Sequence, residues 1–270
     1  MSEISITEHE FEQFRTLMRR VAGVDLSPQK KSLVSGRLAR RLRALGLKSF
    51  GEYFAVVSDR KSADEFDRMV DLLTTHETYF FREPKHFDFL TATVLPQLQQ
   101  RTRPTRIWSA ASSSGEEAYS IAMVLADRLG VASAWEVFAS DISRQVVEKA
   151  RSGVYATNRI DGIPKDYLRR FCRLENTGGE QTLQIDAALR RRVRFAQVNL
   201  NENLGSVGDF DVIFLRNVLI YFDTPTKQRI VERVARQMRP DGCLLIGHSE
   251  SLNGLNVGLR QERPTIYRRA

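Results

Sequence analysis

The chain has no long apolar run. Nothing approaches the roughly 18 uninterrupted apolar residues that a membrane-spanning helix needs, so direct membrane insertion is not expected. Cysteine is scarce: Cys172 and Cys243 are the only two, alongside four His in 270 residues. A disulfide framework is therefore excluded, and these residues show no zinc-ligand spacing, so no metal is expected. Met1 to Glu12 is polar and acidic, unlike a secretory signal, which makes the cytoplasm the expected compartment. No repeat of 20–50 residues and no low-complexity tract is present.

What is present is ordinary globular material, 42% hydrophobic and 27% charged, with a net charge of +8. That supports one sizeable core with room for a small satellite domain. The positive balance favours an anionic partner, whether nucleic acid, a membrane surface or an acidic protein, and charge alone does not choose among them.

Two regimes follow one another. Residues 1–75 read as helices only: Thr7–Val21, with Thr7 and Glu10 placed as a capping box; Pro28–Leu45, capped by Ser27 and ended by Gly46; Ser49–Val56; and Ala63–Leu73. Val34, Leu38, Leu42 and Leu45 form the apolar stripe of the second helix. Residues 76–270 read as α/β. Strands are expected at Arg106–Ala110, Trp135–Ser140, Val193–Val198, Asp211–Arg216 and Cys243–Gly247. Helices are expected at Glu116–Leu129, Arg144–Arg151 and Thr224–Met238, the last capped by Thr224, and Val257–Arg268 reads as a closing hairpin. Such alternation implies a mostly parallel, doubly wound sheet with ligands at the carboxyl ends of its strands. Within residues 167–192, two short strand-like runs joined through Asn176-Thr177-Gly178-Gly179 suggest an inserted antiparallel β-subdomain.

The first sheet strand runs into Ala111-Ser112-Ser113-Ser114-Gly115-Glu116-Glu117. Small residues there allow a ligand close to the backbone. A helix start ordinarily suits phosphate, but two carboxylates would repel a pyrophosphate and suit a ligand carrying positive charge. S-adenosylmethionine, with a sulfonium and an ammonium and no phosphate, fits better than NAD. Glu116 and Glu117 equally favour the helix dipole without any ligand. Asp141, ending the next strand, is placed either to bind ribose hydroxyls or to cap the following helix with Ser143. The second helix carries Lys30, Lys31, Arg37, Arg40, Arg41 and Arg43, with Lys48 beyond its end, and no acid lies between Leu26 and Lys48. That lopsided face reads as a docking surface for something anionic.

Several segments together resemble one family, the chemotaxis receptor glutamate O-methyltransferases, or CheR. They are Thr74-Thr75-His76-Glu77-Thr78-Tyr79-Phe80-Phe81-Arg82-Glu83, Trp108 through Ala122, Phe138-Ala139-Ser140-Asp141-Ile142, Val198-Asn199-Leu200, Arg216-Asn217-Val218-Leu219-Ile220-Tyr221-Phe222, and Pro240-Asp241-Gly242 through Ser251. The likeness covers nearly the whole chain, in order. It implies a small all-α N-terminal domain for receptor docking, then a Rossmann-like methyltransferase domain carrying the β-subdomain. It implies S-adenosylmethionine as cofactor, with S-adenosylhomocysteine as product. The implied contacts are His76, Thr78, Arg82, Glu117, Asp141, Asn199, Leu200, Arg216 and Asn217, and Arg82 and Tyr221 would line the point of methyl delivery. The implied partner is the cytoplasmic helical domain of chemoreceptors rather than nucleic acid. Any small regulatory protein is left unidentified. His76 departs from the family, which often has Asn there, and an imidazole replaces only part of an amide's hydrogen bonding. The hairpin around Gly178-Gly179-Glu180-Gln181-Thr182 is shorter than in members that hold a receptor C-terminal peptide, so the resemblance leaves tethering open. Three rivals stay open on the residues alone: a nucleic-acid methyltransferase, a nicotinamide-dependent dehydrogenase, and a protein that binds the cofactor without transferring anything.

Overall fold

The computed structural model describes residues 4–59, 62–177, 180–205 and 207–270. The chain divides into two compact units, Met1–Thr75 with Tyr221–Arg229, and His76–Ile220 with Ile230–Ala270.

The first unit is helical. α1 (Glu8–Ala22) opens with the expected capping box, Thr7 and Glu10 each satisfying the other's backbone N–H, and closes at Gly23 with φ 73°. A 3₁₀ turn over Pro28–Lys30 precedes α2 (Lys31–Ala44), and the Ser27 side chain makes no capping bond. The expected cap is thus replaced by a proline-led turn that satisfies its own backbone. Val34, Leu38 and Leu42 are buried as expected, whereas Leu45 lies past the helix end and is exposed. α3 (Phe50–Ser58) is capped by Ser49, and α4 (Ala63–Leu73) completes the unit's N-terminal part. Phe14 of α1 packs against Tyr53 and edge-on against Phe54 of α3. The buried Tyr53 hydroxyl donates to Glu65 of α4 at 2.9 Å. Tyr221–Arg229 joins this unit through an antiparallel bridge between Val24 and Phe222 and the bond from Asp25 N–H to Tyr221 C=O.

The second unit begins with a helix the sequence pattern did not reveal. α5 (Pro84–Phe89) passes through a π turn, Leu90–Val94, into the short α6 (Leu95–Leu98). Pro96 has no N–H to donate and would crowd the preceding turn of a regular helix. The wider turn, with Leu95 N–H reaching back to Leu90 C=O, accommodates it. Then come β1 (Thr105–Ala110), α7 (Glu116–Leu129), β2 (Trp135–Asp141), α8 (Arg144–Ser152), β3 (Val154–Ala156), α9 (Lys165–Phe171), β4 (Cys172–Thr177), β5 (Glu180–Ile185), α10 (Ala187–Arg190), β6 (Val193–Gln197), β7 (Phe210–Leu215), α11 (Thr224–Arg236), β8 (Met238–Ile246), β9 (Leu259–Arg263) and β10 (Ile266–Arg269). α11 starts in the first unit's segment, where Asp223 rather than Thr224 accepts the bond from Thr226 N–H. It ends at Arg236, short of the expected Met238. That residue instead opens β8, and Arg239–Gly242 is taken up as a register shift against β7.

The main sheet has the order β6-β2-β1-β7-β8-β10-β9. The first five strands are parallel, and β10 and β9 form the expected antiparallel closing hairpin. The chain leaves β1 toward β2 and β6 on one side and later returns to β7 and β8 on the other. β1 and β7 therefore flank a topological switch point, where a crevice opens at the strands' carboxyl ends. Ile107, Val137, Val212 and Leu245 are fully buried in the sheet, and Tyr119 and Ile121 of α7 belong to the same core. The β-subdomain exists as a three-stranded antiparallel sheet, β3-β5-β4. Its third strand, Val154–Ala156, comes from outside residues 167–192, and the Gly178-Gly179 turn lies outside the described residues.

Candidate functional site

The crevice is built on the loop after β1. Ala111, Ser113 and Gly115 hold positive φ angles of 64°, 49° and 94°. Two of these are not glycines, and each such residue costs about 1–3 kcal/mol that the surroundings must supply. The surroundings do so: Ser112 N–H donates to Ser140 C=O at 2.8 Å, Ser113 N–H donates to Asp141 Oδ2 at 2.9 Å, and Ser113 Oγ donates to His76 C=O at 3.0 Å. At Gly115 a Cβ would meet Ala150 Cβ at 2.8 Å and the Tyr155 hydroxyl at 3.0 Å. Asp141 also accepts Ser143 N–H on Oδ1 at 3.0 Å. Its carboxylate thus ties together the loops after β1 and β2, while Ser143 caps α8.

The two glutamates at the start of α7 have separate fates. Glu116 is fully buried and turned away into the fold. It accepts from Ser114 Oγ at 2.7 Å, forms an ion pair with Arg159 at 2.9 Å, and burial pushes its carboxyl up. Glu117 accepts from Ser109 Oγ at 2.7 Å and from Arg216 at 2.9 Å. Only Glu117 joins the crevice cluster, because successive helical positions point about 100° apart.

Arg216 is the hub. Its side chain is 1% exposed, and it follows β7 directly. It donates to Glu117, to Glu83 through two nitrogens, and to Arg82 C=O. Burial pushes the Glu83 carboxyl up. The Arg216 charge, the His248 N–H and the Asn217 amide outweigh that and hold it down to about 2. Asn217, at φ 57°, donates its side-chain amide to Glu83 at 3.1 Å and its N–H to Glu250 at 2.9 Å. Arg82 donates to Glu77 C=O at 2.9 Å, and its guanidinium lies 5.6 Å from the Tyr79 ring centroid.

Glu83 and Glu117 therefore share one guanidinium, that of Arg216, leaving a carboxylate in excess. Such a site repels a pyrophosphate and suits a ligand with net positive charge. Glu83, His86 and His248 also bring donor atoms within 4.8 Å of one another. Arg216 shares that Glu83 carboxylate, so a metal ion there would face a buried guanidinium. Burial and then the same Arg216 charge push His86 down to about 4.

The remaining expected contacts sit on the same unit. Thr78 is buried and its C=O accepts from Arg159. His76 is half-buried beside Ser113. Leu200 is buried after β6. Asn199 bonds Asn201 N–H and Glu202, so its amide already organises a turn. Tyr221 belongs to the first unit, with Lys30 Nζ 5.6 Å from its ring centroid. Sequence reasoning missed Glu83 and Glu250. Each lies far along the chain from Asn217, and Glu83, before Pro84, has the look of an ordinary helix-start acid.

The basic face of α2 is less lopsided than its own stretch suggests. Lys31 pairs with Glu8 and Arg41 with Glu65, while Arg37 bonds Thr74 C=O and Thr75. Arg40, Arg43 and Lys48 are exposed and, among the described residues, make no ion pair.

The family model "CheR methyltransferase, SAM binding domain" matches residues 76–267, and "CheR methyltransferase, all-alpha domain" matches residues 9–74. A chemotaxis protein methyltransferase of Salmonella typhimurium is 40% identical over 267 residues, covering 98% of this chain and 91% of its own length. One from Escherichia coli is 40% identical, covering 98% and 92%. Chemotaxis protein methyltransferase 2 of Pseudomonas aeruginosa is 42% identical over 268 residues, covering 98% and 94%. The family models and these relatives show that the chain belongs to the CheR family of S-adenosylmethionine-dependent chemotaxis protein methyltransferases.

Proposed function

We propose that the protein esterifies glutamate side chains of chemoreceptors in the cytoplasm, using S-adenosylmethionine, with His76, Thr78, Arg82, Glu117, Asp141, Asn199, Leu200, Arg216 and Asn217 forming the cofactor site. The observation that carries this reading is the excess carboxylate at the switch point, set among strained small residues. The cofactor, when bound, supplies an electrophilic methyl on a positively charged sulfur.

The rest falls to the chain. A receptor glutamate has a pKa of about 4.3, so at neutral pH it is already an anionic nucleophile and no catalytic base is required. The enzyme's work is to hold that oxygen in line with the methyl carbon and to exclude water. Arg82 orients the incoming carboxylate. Its guanidinium is anchored by Glu77 C=O and the Tyr79 ring, which keeps it from neutralising the nucleophile outright. Arg216 keeps Glu83 ionised and holds both Glu83 and Glu117 in place. Tyr221 contributes to methyl delivery on the strength of the family likeness alone. The exposed Arg40 and Arg43, with Lys30, Lys31, Arg37 and Arg41 behind them, make α2 the docking face for the acidic helical region of the receptor.

Arg82→Ala tests the assignment: turnover should fall by more than about tenfold while the Kd for S-adenosylhomocysteine changes by less than about threefold. Equal losses in both, or no loss in either, contradict the role.

A further inference from the structure

Glu250 follows β8 through Gly247-His248-Ser249 and is 8% exposed. Among the described residues it forms no ion pair. Its charge is met by backbone amides instead. Oε2 accepts Asn217 N–H at 2.9 Å and Gly247 N–H at 2.6 Å, and Oε1 accepts Leu219 N–H at 2.7 Å. Burial pushes the carboxyl up, and these bonds, with a further one from Ile220 N–H, pull against it. Successive N–H groups converging on one anion form a nest, here with the anion supplied by the chain itself. The nest is the loop that carries Asn217 at φ 57°. Gly247 leaves the room: a Cβ there would meet Asn217 Nδ2 at 2.5 Å, Asn217 N at 2.9 Å and Glu250 Oε2 at 2.8 Å.

We infer that Glu250 is a positioning residue for the cofactor site, acting through Asn217 by gathering the N–H groups of the loop after β7 into one conformation. This rests on the proposed role of Asn217 as a cofactor contact. Asn217 is held at two points by two carboxylates, its backbone by Glu250 and its amide by Glu83. Glu250 touches no reacting group. It sets where the amide oxygen of Asn217 can point, because the amide nitrogen is committed to Glu83. An uncharged residue of the same shape does not replace it. Glutamine offers one acceptor oxygen, and its NH₂ would confront at least one N–H that now donates.

The test is a double-mutant cycle on the full chain, with Asn217→Ala and Glu250→Gln separately and together. S-adenosylhomocysteine binding is read by calorimetry and KM and kcat by methyl transfer. Each single change should weaken binding by about tenfold, with the KM for S-adenosylmethionine moving more than kcat. In the Asn217→Ala background the further loss from Glu250→Gln should shrink below about threefold, the mark of residues acting as one unit. Unchanged binding in Asn217→Ala overturns the Asn217 assignment and the inference with it. Weakened Asn217→Ala beside unaffected Glu250→Gln, or a Glu250→Gln loss of equal size in both backgrounds, overturns the inference alone. Should Glu250→Gln fail to fold, Gly247→Ala drives a Cβ against both Glu250 Oε2 and Asn217 and so disturbs their contact with both side chains present. It should weaken binding, and the loss should shrink once the Asn217 amide is removed; an undiminished loss overturns the inference.

Discussion

Arg216→Met removes the hub of the carboxylate cluster while keeping a side chain of similar reach. Two carboxylates, 12% and 13% exposed, would then lie without a counter-charge. Breaking a buried pair in this way costs about 3–5 kcal/mol. A second route gives a similar figure. Holding Glu83 at about 2 instead of near 4.5 corresponds, at about 1.4 kcal/mol per pH unit, to about 3 kcal/mol, of which Arg216 supplies the largest share beside the His248 N–H and the Asn217 amide. The sign follows from the depressed folded-state value. This stabilisation is complete above the unfolded carboxyl's range near pH 4.5 and is lost as pH falls through about 2. In Arg216→Met, Glu83 loses the largest of the influences that hold it down, so less stability remains to be lost in acid. His86, kept near 4 by burial and by Arg216, acts in the same direction. In the parent, stability is lost as pH falls from the unfolded imidazole's range toward 4, and without Arg216 that loss is smaller. Urea unfolding should therefore show the variant weaker by about 3–5 kcal/mol near pH 7, with the gap closing by about 1 kcal/mol or more near pH 4. A deficit below about 1 kcal/mol, or one independent of pH, would refute the reasoning.

Gly115→Ala places a Cβ against Ala150 and Tyr155 at positive φ and should destabilise the fold by about 2–4 kcal/mol, read by thermal melting with S-adenosylhomocysteine binding alongside. Asp141→Asn leaves one acceptor oxygen for the N–H groups of Ser113 and Ser143; cofactor affinity should fall about tenfold with about 1–3 kcal/mol lost from stability, and unchanged values in both would count against the tie. Arg40→Glu with Arg43→Glu should raise the receptor KM at least about tenfold and flatten its salt dependence, leaving S-adenosylhomocysteine affinity as it was. Arg41→Ala, by contrast, should act on stability, by about 1–3 kcal/mol, because it strips Glu65 of its partner beneath Tyr53.

The strand–loop–helix at Arg106–Leu129 was legible because its information is local. An apolar run, a turn of small residues and an acidic helix start need no distant partner to be read. Asp141 was legible for the same reason, although its observed bonds to Ser113 and Ser143 are of the capping and tying kind. Glu83 was not legible. Its meaning comes from Arg216, 133 positions away, and nothing in Arg82-Glu83-Pro84 distinguishes it from any acid that opens a helix. Glu250 is hidden likewise, because backbone N–H groups leave no mark in a sequence. Reading α2 in isolation overstated its uncompensated charge, since Glu8 and Glu65 reach Lys31 and Arg41 from α1 and α4. The strand Val154–Ala156 was too short for any period to show, and the π turn before Pro96 masked the helical pattern of residues 84–98.

The central claim is that the carboxylate-rich crevice serves methyl transfer to carboxyl oxygen. The direct measurement is mass spectrometry of receptor peptides after incubation of the protein, S-adenosylmethionine and the receptor's cytoplasmic domain. The account predicts a methyl on glutamate that mild base removes as methanol and that Arg82→Ala greatly slows. A base-stable methyl on nitrogen or on nucleic acid, or tight cofactor binding with no transfer at all, would contradict it.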